Sequence, residues 1–176
     1  MHQNGQALLP GYYRIRKQWD LAIVWEGALV AAIEFKSQVG SVAKNINNRF
    51  EEALGTATDT HAAHIKNEIY GEIPPWLGYV FVLQETTETE QRNRSTKALF
   101  PTDPVFDGLS YSERYQEMVK RFVRENVYQS GWFVTTKVTD EGIVYNEPLA
   151  TASAAAFAVQ IKGRADYVKA VLSATR

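Results

Sequence analysis

The chain has 176 residues with a formal net charge of −1, and 45% of its residues are hydrophobic and 22% charged. This composition is that of one ordinary globular domain, and it excludes wholesale disorder. The chain contains no cysteine, which excludes a disulfide scaffold, a thiolate zinc site and a cysteine nucleophile and fits a reducing cytoplasm. Because the overall charge supplies no attraction for nucleic acid, a nucleic-acid-binding protein would need its Lys and Arg residues concentrated locally.

No segment is predicted to enter a membrane or to act as a signal peptide. The apolar runs at residues 21–25 and 28–33 are far too short to span a bilayer. The N-terminus, MHQNGQALLPGYY, lacks a charged region followed by an apolar one. Because neither an internal repeat nor a low-complexity linker divides the chain, residues 1–176 are expected to form a single domain.

The first half of the chain is predicted to form a loop, a β-hairpin and a long helix. Two apolar runs flank a Glu26-Gly27 turn and predict the hairpin, and apolar residues spaced three or four apart predict the helix. Ser41 is a suitable N-cap for this helix, and Gly55 is expected to soften or interrupt it. The predicted ranges are 1–11 for the loop, 19–25 and 28–35 for the strands, and 42–61 for the helix.

The second half of the chain alternates strands with helices. A continuous apolar run, LGYVFVL, predicts a strand buried on both faces. A long polar connection follows it, and the Ala-rich end of the chain predicts a helix with a break at Gly163. The order β-β-α-β-loop-α-β-α predicts an α/β fold in which helices flank a mixed sheet. The predicted ranges are 77–83 and 132–138 for strands, 84–110 for the connection, 140–142 for a turn, and 111–128 and 149–172 for helices.

The predicted hairpin carries three charged side chains in an informative pattern. Glu34 and Lys36 share one face of their strand, because side chains alternate along a strand. A turn with an odd number of residues would put Asp20 opposite Glu34 and Ala22 opposite Ala32. A turn with an even number would separate the charged groups across two faces. The polarity pattern favours the first register.

These residue types suit metal-dependent chemistry on a phosphodiester. Two neighbouring carboxylates repel each other, and a hard divalent cation removes that penalty. Mg²⁺ held by Asp20, Glu34 and the backbone carbonyl of Phe35 would polarise a phosphodiester and position a water. Lys36 would lie beside that water, where it could lower the pKa of the water, orient it or stabilise the phosphorane. The alternative is that Glu-x-Lys on an exposed strand is solvated charge or a modest ion pair.

Asp20, followed after thirteen residues by Glu34-Phe35-Lys36, resembles the PD-(D/E)XK nuclease motif. The blocks EFKSQVGS and NNRFEEALG resemble the XhoI family of type II restriction endonucleases, most strongly over residues 11–59. The resemblance implies a restriction-endonuclease-like core and a Mg²⁺-dependent enzyme that cuts both strands of DNA at a short palindrome, CTCGAG. It also implies that Asp20 and Glu34 are metal ligands and that Lys36 is the catalytic lysine.

The resemblance carries further expectations about partners and length. A two-fold palindrome implies a homodimer, and a restriction-modification system implies a cognate DNA methyltransferase and a cytoplasmic location. Trp19 stands where the motif usually has Pro. Nineteen residues precede Asp20, whereas relatives of this type carry more sequence there, including a helix that packs beside the site. The chain is therefore expected to lack an N-terminal portion.

Polar and basic residues on both sides of the hairpin are candidate DNA contacts. A basic, aromatic run before the first strand suits phosphates, and the Asn and Arg residues that open the long helix suit base edges or phosphates. The alternative is an Asn-rich first turn that only caps and solvates the helix. The candidates are Arg14, Arg16, Lys17, Gln38, Ser41, Asn45, Asn47, Asn48 and Arg49.

Three other functions remain open for the sequence alone. A DNA repair or recombination nuclease of the same fold would prefer branched DNA. A truncated, non-catalytic DNA-binding protein would bind duplex DNA without cutting it at any Mg²⁺ concentration. An unrelated α/β domain would carry the same charges on its surface, with the Asp20 side chain on the opposite face from Glu34.

Overall fold

A computed structural model describes residues 7–92 and 98–174 of the chain. Its strands and helices alternate much as the sequence predicts, with short 3-10 turns at Pro104–Phe106 and Ala150–Ala152. In chain order the elements are β1 Ala7–Pro10, β2 Arg16–Trp19, β3 Leu21–Trp25, β4 Ala28–Gln38, α1 Val42–Asn67, β5 Leu77–Gln84, α2 Thr87–Glu90, α3 Tyr111–Arg124, β6 Ser130–Thr139, β7 Gly142–Asn146 and α4 Ala154–Ala174.

A five-stranded mixed sheet with the strand order β3-β4-β5-β6-β7 forms the centre of the fold. The three inner strands run parallel, and each outer strand pairs antiparallel with its neighbour. One face of the sheet packs against α1 and α3, and Phe157 of α4 packs on the other face. This arrangement confirms the predicted α/β class and is compatible with a restriction-endonuclease-like core. No helix in the described part of the chain is long and apolar enough to cross a membrane.

The turn between β3 and β4 contains two residues, not the odd number that the polarity pattern favoured. Glu26 and Gly27 both have positive φ, 48° and 83°, which is the conformation of the two-residue turns that match the twist of a hairpin. Trp25 faces Ala28 across this turn. Continued without interruption, this register would separate the three charged side chains of the hairpin.

A β-bulge in β4 restores the register that the sequence predicts. The pairing shifts between Ile23 and Val24 of β3, where Val30 of β4 is an extra residue. Beyond the bulge, Ala22 faces Ala32 as predicted. The pairs are Trp25–Ala28 and Val24–Leu29 on the turn side, then Ile23–Ala31, Ala22–Ala32 and Leu21–Ile33.

Two predictions at the N-terminal end of the chain are wrong. Four residues of the predicted loop form β1, which pairs with β2 in a separate two-stranded sheet; residues 1–6 lie outside the described residues. The predicted strand 19–25 is interrupted at Asp20, because β2 ends at Trp19 and β3 begins at Leu21. The carboxylate of Asp20 accepts the backbone N–H of Phe35 at 2.7 Å, so a side chain replaces the partner that a continuous strand would supply.

The predicted helix breaks do not occur. Helix α1 is continuous through Gly55. Helix α4, which follows the 3-10 turn at Ala150–Ala152, is continuous through Gly163. Packing on the sheet outweighs the low helix propensity of a single glycine. Ser41 occupies the N-cap position of α1 but forms no side-chain cap hydrogen bond. Helix α3 ends at Arg124 rather than near residue 128, because the chain reverses at Asn126, where φ is 54°.

The two remaining differences lie at the edge of the sheet and in the long connection. The sequence does not predict strand β7, because residues 142–146 lack the alternation of polar and apolar residues that marks a half-buried strand. All five residues are exposed in the structure. Within the predicted connection of residues 84–110, the short helix α2 begins with a capping box formed by Thr86 and Thr89. Residues 93–97 of that connection lie outside the described residues.

Replacing Phe81 of β5 with alanine is expected to lower the free energy of unfolding by about 3–5 kcal/mol, because it removes a large side chain from a close-packed core. Phe81 is fully buried and packs against Phe133 and Tyr115. The matched control is Phe100→Ala, whose ring is 80% exposed. Urea denaturation of both variants measures the difference, and equal losses would contradict the described core.

Candidate active site

The carboxylate of Glu34 is buried and has two ammonium partners. Glu34 lies in the C-terminal half of β4 and is 2% exposed. Lys36 Nζ lies 2.5 Å from Glu34 Oε1, and Lys17 Nζ lies 2.9 Å from Oε2. A buried carboxylate without a partner would be strongly destabilising, and these lysines remove that penalty. Two ammonium groups outweigh one carboxylate, so the three side chains together carry net positive charge.

Asp20 lies at the same end of the hairpin as Glu34 and Lys36. Asp20 is exposed, and its Oδ2 accepts the backbone N–H of Phe35, the residue between Glu34 and Lys36. The two acidic residues also flank the last β3–β4 pair, since Asp20 precedes β3 and Glu34 follows Ile33. The register thus places Asp20 at the same end of the hairpin as Glu34 and Lys36, with Asp20 exposed and Glu34 buried.

A cleft of about 510 Å³ lies beside Glu34, between β4 and the first half of α1. Arg49, Glu52 and Thr56 line it from α1, and their spacing of three and four residues places them on one face of the helix. The complete lining is Arg14, Lys17, Glu34, Lys36, Arg49, Glu51, Glu52, Gly55 and Thr56. The cleft therefore combines side chains from the hairpin, from α1 and from the segment before β3.

The strand next to Glu34 supplies an aromatic and uncharged neighbourhood. Tyr79 of β5 is the register partner of Glu34 and is fully buried, as is Tyr128. Burial raises the pKa of both phenols well above their usual value, so both stay neutral. Tyr128 donates a hydrogen bond to the carbonyl of Ala53 at 2.9 Å. Such surroundings strengthen the attraction between the Glu34 carboxylate and its lysines.

The donors at this end of the hairpin fit a small divalent cation. Mg²⁺ is commonly bound by one or two carboxylates while water and phosphate oxygens complete its coordination. Asp20 and Glu34 provide two such carboxylates, and an ion at Glu34 would take the place of at least one of its two ammonium partners. No group of three or more His, Asp or Glu side chains placed to hold a metal occurs among the residues that the structure describes. An ion here would therefore keep much of its own water.

Asp59 of α1 fixes the loop that joins β1 to β2. Asp59 is 3% exposed, and its Oδ1 accepts the backbone N–H groups of Tyr12 and Tyr13 at 2.9 and 2.7 Å. Its Oδ2 accepts a hydrogen bond from Arg14 Nε at 2.7 Å. These contacts hold the β1–β2 hairpin against α1, and β2 carries Lys17 to the candidate site.

Three of the nine candidate DNA contacts line the cleft: Arg14, Lys17 and Arg49. Arg14 Nη2 donates to the carbonyl of Gly55 at 3.2 Å. Arg49 donates through Nε to Gln38 Oε1 at 3.3 Å and forms an ion pair with a glutamate of its own helix. The structure therefore places three cations around Glu34 and Lys36.

The other six candidates do not line the cleft. Gln38 is buried and donates to the carbonyl of Gly40 at 2.6 Å. Asn45 Nδ2 donates to the carbonyl of Ser41 at 3.1 Å. In the first turn of α1, Glu88 of α2 accepts the backbone N–H of Ala43 at 3.3 Å, so a carboxylate already lies at this helix end. Arg16, Ser41, Asn47 and Asn48 are exposed.

Several residues of the site were not identified from the sequence. Glu52, Thr56 and Asp59 follow Arg49 along α1 at spacings of three and four, which is a pattern that the sequence contains. The pattern identifies one face of the helix, but only the packing of α1 on the sheet shows that this face lies opposite β4. Glu51 lies beside that face and also lines the cleft.

The chain is similar in sequence to known restriction enzymes. The family profile described as restriction endonuclease XhoI matches residues 1–145. The type II restriction enzyme BstVI of Geobacillus stearothermophilus is 38% identical over 128 residues, which are 69% of this chain and 57% of that protein. XhoI of Xanthomonas vasicola is 38% identical over 116 residues, 65% of this chain and 47% of the relative.

A third relative, the type II restriction enzyme AbrI of Azospirillum brasilense, is 44% identical over 121 residues, 64% of this chain and 54% of the relative. The chain thus spans about half the length of the curated relatives it matches. No solved structure matches the chain.

Replacing Asp59 with alanine is expected to release the β1–β2 loop from α1. The N–H groups of Tyr12 and Tyr13 and the guanidinium of Arg14 lose their acceptor, so the free energy of unfolding should fall by about 1–3 kcal/mol. Denaturation and amide exchange at Tyr12 and Tyr13 measure the effect. The control is Asp166→Ala, an exposed aspartate of α4. Unchanged exchange at both tyrosines would contradict the anchoring role.

Proposed function

Because the chain belongs to the XhoI restriction endonuclease family, we propose that it is a type II restriction endonuclease that hydrolyses both strands of DNA with Mg²⁺. The observation that carries the proposal is the buried Glu34 carboxylate beside Lys36, with Asp20 at the same end of the hairpin. The proposed target is a short palindrome. The sequence CTCGAG rests on the resemblance of the EFKSQVGS and NNRFEEALG blocks alone.

In the proposed mechanism, each residue of the hairpin end has one task. Asp20, Glu34 and the backbone carbonyl of Phe35 would hold a divalent cation, which when bound would supply charge stabilisation at the phosphodiester and polarise a water. Lys36 orients the attacking water and stabilises the negative charge that develops on the phosphate. The ion pair with Glu34 keeps the Lys36 ammonium at the cleft, so that little reorganisation is needed when DNA arrives.

The cations of the cleft would bind the DNA backbone. Arg14, Lys17 and Arg49 surround the proposed catalytic groups, and phosphate contacts of this kind position a duplex without reading its sequence. Gln38 is buried and touches Arg49, so its proposed contribution is to hold that guanidinium. The proposed contacts outside the cleft are Arg16, Ser41, Asn45, Asn47 and Asn48.

The proposed assembly follows from the two-fold symmetry of a palindrome. Two copies of the chain would form a homodimer, with one site for each DNA strand. A cognate DNA methyltransferase would protect the same sequence in the host, and both proteins would act in the cytoplasm. We propose that residues 1–176 form one restriction-endonuclease-like domain.

The test of this function is incubation of the purified chain with plasmid DNA that contains one CTCGAG site, with Mg²⁺ or with EDTA, followed by sequencing of the fragment ends. The expected result is one double-strand cut at that site in Mg²⁺ alone. A preference for branched DNA would indicate a repair or recombination nuclease instead. Specific binding without cleavage at any Mg²⁺ concentration would indicate a non-catalytic DNA-binding protein.

Replacing Lys36 with methionine is expected to lower the cleavage rate by at least about 100-fold and to leave specific DNA binding within about threefold. The reason is that Lys36 acts on the reacting phosphate, whereas other cations of the cleft still bind the duplex. Single-turnover cleavage and gel mobility shift measure the two effects. Lys44→Met, an exposed lysine of α1, is the control. A Lys36 variant that cuts at the wild-type rate would contradict the mechanism.

Replacing Lys17 with methionine is expected to raise the affinity for Mn²⁺ by about threefold to tenfold while slowing DNA cleavage. Lys17 neutralises the same carboxylate that the cation needs, so its removal favours the ion, but it also removes a cation that faces DNA. Calorimetric titration without DNA measures the first effect, again with Lys44→Met as the control. Weaker Mn²⁺ binding by the Lys17 variant would contradict the assignment of Glu34 as a ligand.

A further inference from the structure

The side chain of Arg164, on α4, reaches the β-bulge of the hairpin. Arg164 Nε donates to the carbonyl of Val30 at 2.9 Å, and Nη2 donates to the carbonyl of Leu29 at 3.1 Å. The same Nη2 also donates to the carbonyl of Pro74 at 2.6 Å, in the segment that leads into β5. One guanidinium therefore joins the bulge to the start of the neighbouring strand.

The chemistry of this contact suits a bulge. An extra residue interrupts the regular ladder of backbone hydrogen bonds, and backbone carbonyls in a partly buried region need donors. A guanidinium offers several N–H donors in a fixed plane, so a single side chain can bind several carbonyls. The side chain of Val30 is held by the same helix, because it packs in one cluster with Val168 of α4 and Ile73.

The bulge sets the position of Asp20 relative to Glu34 on the neighbouring strand. The two-residue turn alone would give the even register, in which Asp20 and Glu34 are not aligned, and the extra residue Val30 corrects it. We propose that Arg164 is a positioning residue that stabilises the bulge and thereby keeps Asp20 at the backbone of Phe35, beside Glu34. The consequence for DNA cleavage rests on the proposed function, whereas the consequence for the register does not. Arg164 lies beyond residue 145, where the family match ends.

The test compares three variants with the wild-type chain. Arg164→Met keeps the length of the side chain and removes all donors, Arg164→Lys keeps the charge with a smaller donor group, and Lys162→Met is a control at an exposed position of the same helix. Circular dichroism and denaturation verify folding. Amide exchange at Phe35 and cross-strand NOEs between Ala22 and Ala32 report the register without DNA or metal. Single-turnover cleavage and DNA affinity report the consequence for the site.

The expected result for Arg164→Met is exchange at the Phe35 amide accelerated by at least about tenfold, weakened NOEs between Ala22 and Ala32, and cleavage slowed by at least about tenfold with DNA affinity within about threefold. Arg164→Lys should fall between Arg164→Met and the wild type, and Lys162→Met should match the wild type.

A folded Arg164→Met with wild-type exchange at Phe35 would overturn the proposal. If that variant does not fold, Arg164→Lys decides: wild-type values in every measurement would show a role in folding alone and would also overturn the proposal. A wild-type chain that does not cut DNA would overturn the proposed function, while the exchange and NOE results would still decide the role of Arg164.

Discussion

Side chains change face at every residue of a strand, so the candidate site exists in only one of the two registers that β3 and β4 can adopt. The turn between β3 and β4 has two residues, and without a bulge it would produce the register that separates the charged residues. The extra residue Val30 of β4 shifts the pairing by one residue, so the two-residue turn and the register of the candidate site occur in the same hairpin. The alignment of Asp20 with Glu34 is thus set by backbone geometry at the opposite end of the hairpin from the charged residues.

The buried charge of Glu34 sets the second constraint, because a carboxylate in such surroundings needs cations from more than one element. Lys36 is on the same strand, but Lys17 comes from the separate β1–β2 sheet. That sheet stays in place because Asp59 binds its loop, and the approach is so close that a Cβ at Gly11 would lie 2.1 Å from Asp59 Oδ2. The N-terminal hairpin is therefore part of the site.

The parts that could be predicted from the sequence depend on local patterns. Alternation along a strand placed Glu34 and Lys36 on one face, a continuous apolar run marked β5, and the short blocks around the motif indicated the family. The parts that could not be predicted depend on contacts between distant residues. Arg164 is 134 residues from Val30, and Asp59 is 47 residues from Tyr12. Neither contact leaves a signal in either segment alone.

The geometry of the hairpin can accordingly depend on a residue that lies outside the motif. The even turn and the bulge must occur together, and the bulge needs donors for its carbonyls, which Arg164 supplies from α4. With an odd-numbered turn the same Glu-x-Lys strand would reach this register without a bulge, and it would then need no donor in the place of Arg164. Turn length, bulge and distant donor are therefore one structural unit, and a change in any of them alters what the others must do.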